Sequence, residues 1–536
     1  MQIESTHADA VSPRQRPTMP RGLLLVVAAL LAGACQGGSA PPAQMADEPH
    51  ATAPDAATRT RDGAAASRDV AQPPADAPGP DAGQEDGPAD AAAPDASADV
   101  GGPDVAADAD ADVGQDGPAA DAPTSGTGAY LIERLEGDVT ARELDAFIAA
   151  TSAASIPAAM WTQSNPASHN ILCAFGRGGY TLEALGLLYE IAKDAGMSSQ
   201  QRRLLDLAIK WSDEWLVHRN DLPLGEHRVM WTGKVEPTWP PNHPADIEAA
   251  YAGSEAADTV GILAHTALNI VRTPELAAAT VPDGDPNHLG ATYLARAKTY
   301  LAMLEVSMDG FVVPSFLDPA SLTIRHPSAP AYAIPGTPGG SQNVNAWNRM
   351  MFFMNAFQTL GQIHHVLGDD AAKDVMYRKV VENTVDAFVK AAVPHAAADG
   401  TPVYDWGYGD FGDIRNHLSN EDLSHGNIDI MGLTRASRGG YGHATAAQLK
   451  TYANTVMHEL RIGPGVYASS VNRVKASGMA TSLPVGWITL SPYLPGLYQA
   501  VAADMLATGG PTRHAGQAGY LLWAKHWTAR GGLPAP

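Results

Sequence analysis

From about residue 140 to 530, stretches with apolar residues three and four positions apart alternate with short polar segments rich in Gly and Pro. TLEALGLLYEIAKDAG, at 181–196, keeps that spacing and stops at glycine; SQQRRLLDLAIKWSDEWLVHR, at 199–219, follows after a short turn. Together they predict an αα-hairpin. The same form returns at 254–271 with 293–308, at 345–368 with 371–392, at 427–440 with 445–461, and at 494–510 with 514–527, while 140–155 supplies part of a sixth. Period-two alternation is scarce, so the expected class is all-α. The hairpins recur at roughly 75 residues, longer than the ~34 to 47 of simple helical repeats. The first helix of each pair is richer in small and apolar residues, as a helix buried on both sides requires, and the second carries more Lys, Arg and Glu. The pattern predicts an α/α toroid in which first helices form an inner ring, second helices an outer ring, and long loops crowd one face. An open array of the same pairs is the alternative.

Upstream the pattern changes twice. Arg14, Arg16 and Arg21 precede the apolar run LLLVVAALLAGA, which ends at Cys35. A basic start, a short apolar stretch and small residues before a cysteine predict a lipoprotein-type export signal over 1–35, with Cys35 as the lipidated residue. The run is shorter than the ~20 residues a membrane span needs. Residues 36–127 are Ala, Asp, Pro and Gly with almost no large apolar side chain, a composition that cannot offset the entropy of ordering. A disordered linker is expected there, followed by one catalytic domain at 128–536. The expected location is that of an exported bacterial lipoprotein in the outer membrane, periplasm or cell surface, held to the membrane only by its N-terminal lipid.

Net charge is −23, but the linker alone holds 18 acidic residues against 3 arginines. The acidity is mostly a property of the tether and says little about substrate. No basic stripe or nucleic-acid motif is present, so nucleic acid is not an expected partner. Cys173 is the only cysteine after Cys35; with Cys35 lipidated, no internal disulfide is expected.

The densest polar and aromatic run is YDWGYGDFGDIRNHLSNEDLSHGNIDI, at 404–430. In a toroid, the loops before the inner helices converge on one mouth. Those loops hold Trp161, Trp231, Trp239, Trp347, Trp406 and Trp487, together with Asn170, Asn345 and Asn348. Aromatic faces stack on sugar rings, and amides, His and Arg bond hydroxyls and carboxylates, so an oligosaccharide or polysaccharide is the expected substrate. If 404–408 is extended, Tyr404, Trp406 and Tyr408 share a face. Glu421 and Asp422 precede a helix, where capping alone accounts for them. His425 and Asp429 are one turn apart and are expected to bond each other. Asp-x-x-His-x-x-x-Asp is a weak metal pattern, so no metal and no cofactor are assigned.

An Asn at the start of an inner helix (Asn345 or Asn348), a long hairpin, Tyr404-x-Trp406-x-Tyr408 and then Glu421-Asp422-x-x-His425 resemble the α/α-toroid polysaccharide lyases that cut uronic-acid polymers such as glucuronan and alginate. The chain is also similar to the catalytic domain of glucuronyl C5-epimerases. The resemblance covers about 130–530 in architecture but only 343–430 in motif. It implies abstraction of the C5 proton of a uronic acid. Tyr408 and Tyr404 would act as acid and base, and His425 and His417 as base or carboxylate neutraliser. Arg415 would serve as a clamp, with Asn345 or Asn348 adding an amide. Tyr408 and His425 are the favoured pair. Trp406, Trp347, Trp231, Asn170, Asp422 and Glu421 would contact substrate. A monomer is expected.

Two rivals compete. An inverting glycoside hydrolase needs two carboxylates ~6.5 to 9.5 Å apart, drawn from Asp422 or Glu421 with Asp246, Glu248 or Asp405. A non-catalytic carbohydrate-binding lipoprotein needs neither set.

Overall fold

A computed structural model describes residues 130–154, 177–240, 253–325, 327, 345–410, 421–471 and 479–534. The export signal with Cys35, the linker, Cys173, Asn170, Trp161, Asp246, Glu248, Arg415 and His417 lie outside the described residues.

The described chain is mostly helical. In order, α1 is Ala141–Ala153, α2 Arg177–Asp194, α3 Ser198–Leu216, α4 Ser254–Val271 and α5 Tyr293–Ser307. They are followed by α6 Trp347–Leu367, α7 Ala371–Ala391, α8 Leu423–Arg438, α9 Ala446–Thr455, α10 Leu497–Ala507 and α11 Ala515–Ala529. Capping fixes several starts: Thr140 and Thr445 form capping boxes with Glu143 and Gln448, and Thr292, Asp370 and Asp422 accept first-turn amides. α6 stops at Gly368, whose φ of 63° suits glycine.

Strands are short. β1 (Leu317–Asp318) pairs with β2 (Thr323–Ile324), β3 (Asn345–Ala346) with β6 (Gly409–Asp410), and β4 (Val393–Ala396) with β5 (Pro402–Asp405); β8 (Val466–Ala468) lies between β7 (Arg461–Gly463) and β9 (Met479–Ala480).

Burial separates two kinds of helix. α4 is buried from Ser254 to Ile270 at all but one position, and α6 throughout Trp347–His364; α11 is buried across Gly516–Trp527 at all but one position. By contrast α3, α7 and α10 bury a single stripe. The all-round elements pack in sequence: α2 on α4, α4 on α6, α6 on α8, α8 on the 3-10 helix Val485–Tyr493, that segment on α11, and α11 on α2. α3 lies against α2 and α4, α5 against α4, α7 against α6, α9 against the 3-10 segment, and α10 against that segment and α11.

Two expectations are corrected here. The segment around Trp487 is expected from sequence to be a mouth loop, but 485–493 is a buried 3-10 helix that occupies a helix position of its own. In consequence, the last expected hairpin is inverted: α11, its second helix, is the one buried all round, and α10 the one-stripe partner. VGWITL, apolar apart from Thr489, carries no helical period because every side of it is covered.

Between the all-round helices runs a polar network. Arg435 pairs with Glu183, Arg438 Nη1 lies 3.2 Å from Glu190, and Arg272 donates to Gln362 at 2.8 Å. It surrounds a narrow space of about 60 Å³. No helix among the described residues is long and apolar enough to cross a membrane.

Candidate functional site

The run that stood out in sequence is split by packing. β5 ends at Asp405, and β6 starts at Gly409 on a different partner, so 404–408 is not one extended face. Tyr404 is tied by its backbone to Thr455, with bonds of 3.0 and 3.1 Å, and its ring lies 4.7 Å from that of Tyr452. Trp406 faces the same way, 5.4 Å from Tyr452, and is 3% exposed. Tyr408 alone turns elsewhere: its ring meets the His425 ring edge-on at 5.1 Å.

Backbone pairing explains how Tyr408 reaches this corner. β3 pairs with β6, and the Trp347 amide donates to the Tyr408 carbonyl at 3.0 Å. The strand pair therefore brings Tyr408 to the N-terminus of α6, beside Asn348. Asn348 is buried, and its Oδ1 accepts the Arg349 amide at 2.9 Å. Asn345 lies on β3, paired with Asp410.

On the other side is the start of α8. Asp422 caps it, accepting the Ser424 and His425 amides at 2.7 and 2.9 Å. Its second oxygen bonds His425 Nδ1. Burial pushes the Asp422 carboxyl up, but the bonds from His425 and the helix amides outweigh it and hold the group below the usual carboxylate range. The segment is anchored from outside by Leu423 donating to Ser469 at 3.0 Å and Val471 donating to the Glu421 carbonyl at 2.8 Å. Capping thus accounts for Asp422 only in part, since the same carboxylate also orients a histidine.

Glu421 and Asp429 lie behind this surface, both fully buried. Glu421 accepts the Asp422 amide at 3.0 Å, and Asp429 accepts the Trp406 indole N–H at 2.9 Å. The second oxygen of each, Glu421 Oε2 and Asp429 Oδ1, receives no N–H donor; the two carboxyls instead hydrogen-bond each other. Burial, with Asp429 and Asp422 close by, pushes Glu421 well above the carboxylate range, and burial raises Asp429 too. The expected His425–Asp429 bond is therefore corrected: His425 pairs with Asp422, while Asp429 pairs with Trp406. The helix turn that puts 425 near 429 also puts the cap at 422 within reach, and the cap is the more exposed partner.

The tryptophan platform is also corrected. Trp347, Trp406, Trp239 and Trp487 are 1%, 3%, 3% and 0% exposed. Trp487 donates to the Leu423 carbonyl and Trp239 to the Trp215 carbonyl, each at 3.0 Å; Trp347 packs on Phe388. Trp231 is half-buried against Phe311 and Phe316, which continue α5. Trp347, Trp406, Trp239 and Trp487 hold long connections onto helices and offer no open face to a sugar.

One group escaped the sequence reading. Glu255, in the first turn of α4, is 9% exposed, and its Oε2 is buried without a partner. Burial pushes its carboxyl up to about 7, with Asp258 adding. A glutamate in the first turn of a helix buried nearly all round was the available signal.

The chain matches no protein-family model, no curated protein and no solved structure.

Proposed function

We propose that the helical domain is an α/α toroid carrying a polysaccharide lyase site that cleaves a uronic-acid polymer by β-elimination. The cyclic neighbour order from α2 through α4, α6, α8, Val485–Tyr493 and α11 back to α2 supports the toroid. So does the contrast between all-round and one-stripe burial. The observation that carries the chemistry is the Tyr408–His425 contact, with Asp422 holding His425 by Nδ1, at the N-terminal ends of two neighbouring inner helices.

In the elimination, a base takes the C5 proton, its bonding pair forms the C4–C5 double bond, the C4–O bond breaks, and the leaving oxygen gains a proton. Neutralising the uronate carboxylate makes the C5 proton acidic enough to remove. Tyr408 is the acid/base group. His425, steadied by Asp422, faces the carboxylate. Asn348 adds its amide: its Oδ1 is engaged by the Arg349 N–H, which leaves the NH2 group to donate. The hydrolase alternative is less well supported, because Glu421 is sealed and Asp422 is committed to His425 and to capping.

The test is a panel of uronic-acid polysaccharides followed for near-ultraviolet absorbance. Wild type should generate an unsaturated product, and Tyr408→Phe and His425→Ala should not. New reducing ends without absorbance would replace the lyase with a hydrolase. Exchange of the C5 proton without cleavage would replace it with an epimerase. Binding without any turnover would leave a carbohydrate-binding protein.

A further inference from the structure

We propose that the space between α2, α4, α6 and α8 binds a small tetrahedral oxyanion, phosphate or sulfate, at the end of these helices away from Tyr408 and His425. The helices meet in the same chain order: Glu183 with Arg435 and Glu190 with Arg438, Asp258 with Asn355 and Arg272 with Gln362, and Gln358 with the Arg435 carbonyl. They therefore run parallel, and the space falls in their C-terminal halves. Asn348, at the start of α6, is roughly 15 Å of helix away from Gln358 on its wall. The site is thus distinct from the one proposed for elimination and does not rest on it.

The wall is rich in donors and in positive charge. Arg272, Arg435 and Arg438 face Glu183 and Glu190 across it, and Lys193 joins at the rim, donating to the Arg272 carbonyl at 2.7 Å. Glu183 matches Arg435 and Glu190 matches Arg438, whereas the side-chain partner of Arg272 is the uncharged Gln362. Burial pushes the Glu190 carboxyl up, but Arg438, His265 and Arg272 outweigh it and bring it down to about 2. Burial and the adjacent Arg272 both hold Lys193 below the usual lysine range. Cations here crowd one another. Arg438 Nε is also buried with no hydrogen-bond partner among the described residues. Gln362 commits its oxygen to Arg272, which leaves its NH2 group to donate. Buried donors are normally met by acceptors, and an oxyanion brings several at once in the geometry guanidinium groups match.

Missing side chains keep the room. Gly439 has a φ of −77°, which any residue adopts, so its value lies in space: a Cβ there would fall 2.2 Å from Gln362 Nε2 and 2.5 Å from Gln358 Nε2. A Cβ on Gly186 would fall 2.4 Å from His265 Nδ1. The space is about 60 Å³. A water takes roughly 30 Å³ in the liquid, so one compact oxyanion fits and a sugar ring does not.

The full chain is titrated with inorganic phosphate and with sulfate by calorimetry, and its thermal unfolding is followed in each salt and in sodium chloride at equal ionic strength. A sugar phosphate in a parallel titration tells a free ion from a group carried on a larger molecule. Wild type should bind about one equivalent of phosphate or sulfate and gain Tm over chloride. Arg272→Gln and Arg438→Gln should each weaken binding roughly tenfold. Arg272 is exposed, so its variant stays folded and informative even if Arg438→Gln does not. Tyr408→Phe should bind as wild type does, whether or not the chain is a lyase. A Tm gain that chloride matches, binding that both arginine variants retain in full, or binding lost in Tyr408→Phe overturns the site and leaves the arginines as ion pairs between helices.

Discussion

Glu421 shows how much one side chain's surroundings set its chemistry. Its carboxyl is raised by burial and by neighbouring acids. The folded state then holds a proton more tightly than the unfolded chain, whose glutamate titrates near 4.5. The stabilisation is complete below that pH and is lost as pH rises through the folded pKa. Stability should therefore fall as pH climbs above about 4.5, and Glu421→Gln should flatten that slope. Urea midpoints across the range would check it, and parallel curves for the two proteins would refute it. Tyr408 makes a second prediction at this scale. Tyr408→Phe keeps the ring against His425 and removes only the hydroxyl. On the lyase reading kcat should drop by roughly 10²- to 10⁴-fold while KM changes little, and an unchanged kcat would reassign the acid/base role.

At the scale of elements, contact between buried helices leaves no room for a methyl group at certain places. A Cβ on Gly261 of α4 would lie 2.6 Å from the Asn355 backbone of α6, whereas one on Gly463 would meet nothing within 4 Å. Asn355 itself donates to Asp258 at 2.8 Å across the same contact. Gly261→Ala must push the two helices apart, at a cost of about 1–3 kcal/mol. Gly463→Ala should stay within about 0.5 kcal/mol of wild type. Denaturant titration of both separates close packing from a general glycine effect, and equal stabilities would remove the close-packing explanation.

Across the whole molecule, the first described helix is joined to the last. Lys525 of α11 bonds both oxygens of Glu143 in α1, at 2.7 and 2.8 Å, and both side chains are fully buried. The neighbouring His526 bridges Asp138 and Asp194. Lys525→Met strands a buried carboxylate and should cost about 3–5 kcal/mol, while Lys525→Met with Glu143→Gln should recover part of it. A single variant as stable as wild type would show that the pair contributes nothing to joining the first and last described helices.

The helices were legible because amphipathic period and caps are local: 254–271 and 371–392 match α4 and α7 to within one residue. Tyr408, Asp422 and His425 stood out as polar groups in an alanine-rich setting. What sequence left undecided was direction. A tryptophan in a loop reads the same whether it faces a sugar or a core, and only the packing of Phe388, Tyr452 and the Leu423 carbonyl turned Trp347, Trp406 and Trp487 inward. The roles within the last hairpin were likewise hidden, since burial on every side leaves no period to read. Local patterning thus determined most of the helical segments and which residues are candidates for chemistry. The tertiary structure decided which of those residues meet, because burial, the β3–β6 pairing and the choice of Asp422 over Asp429 as partner for His425 depend on segments far apart in the chain.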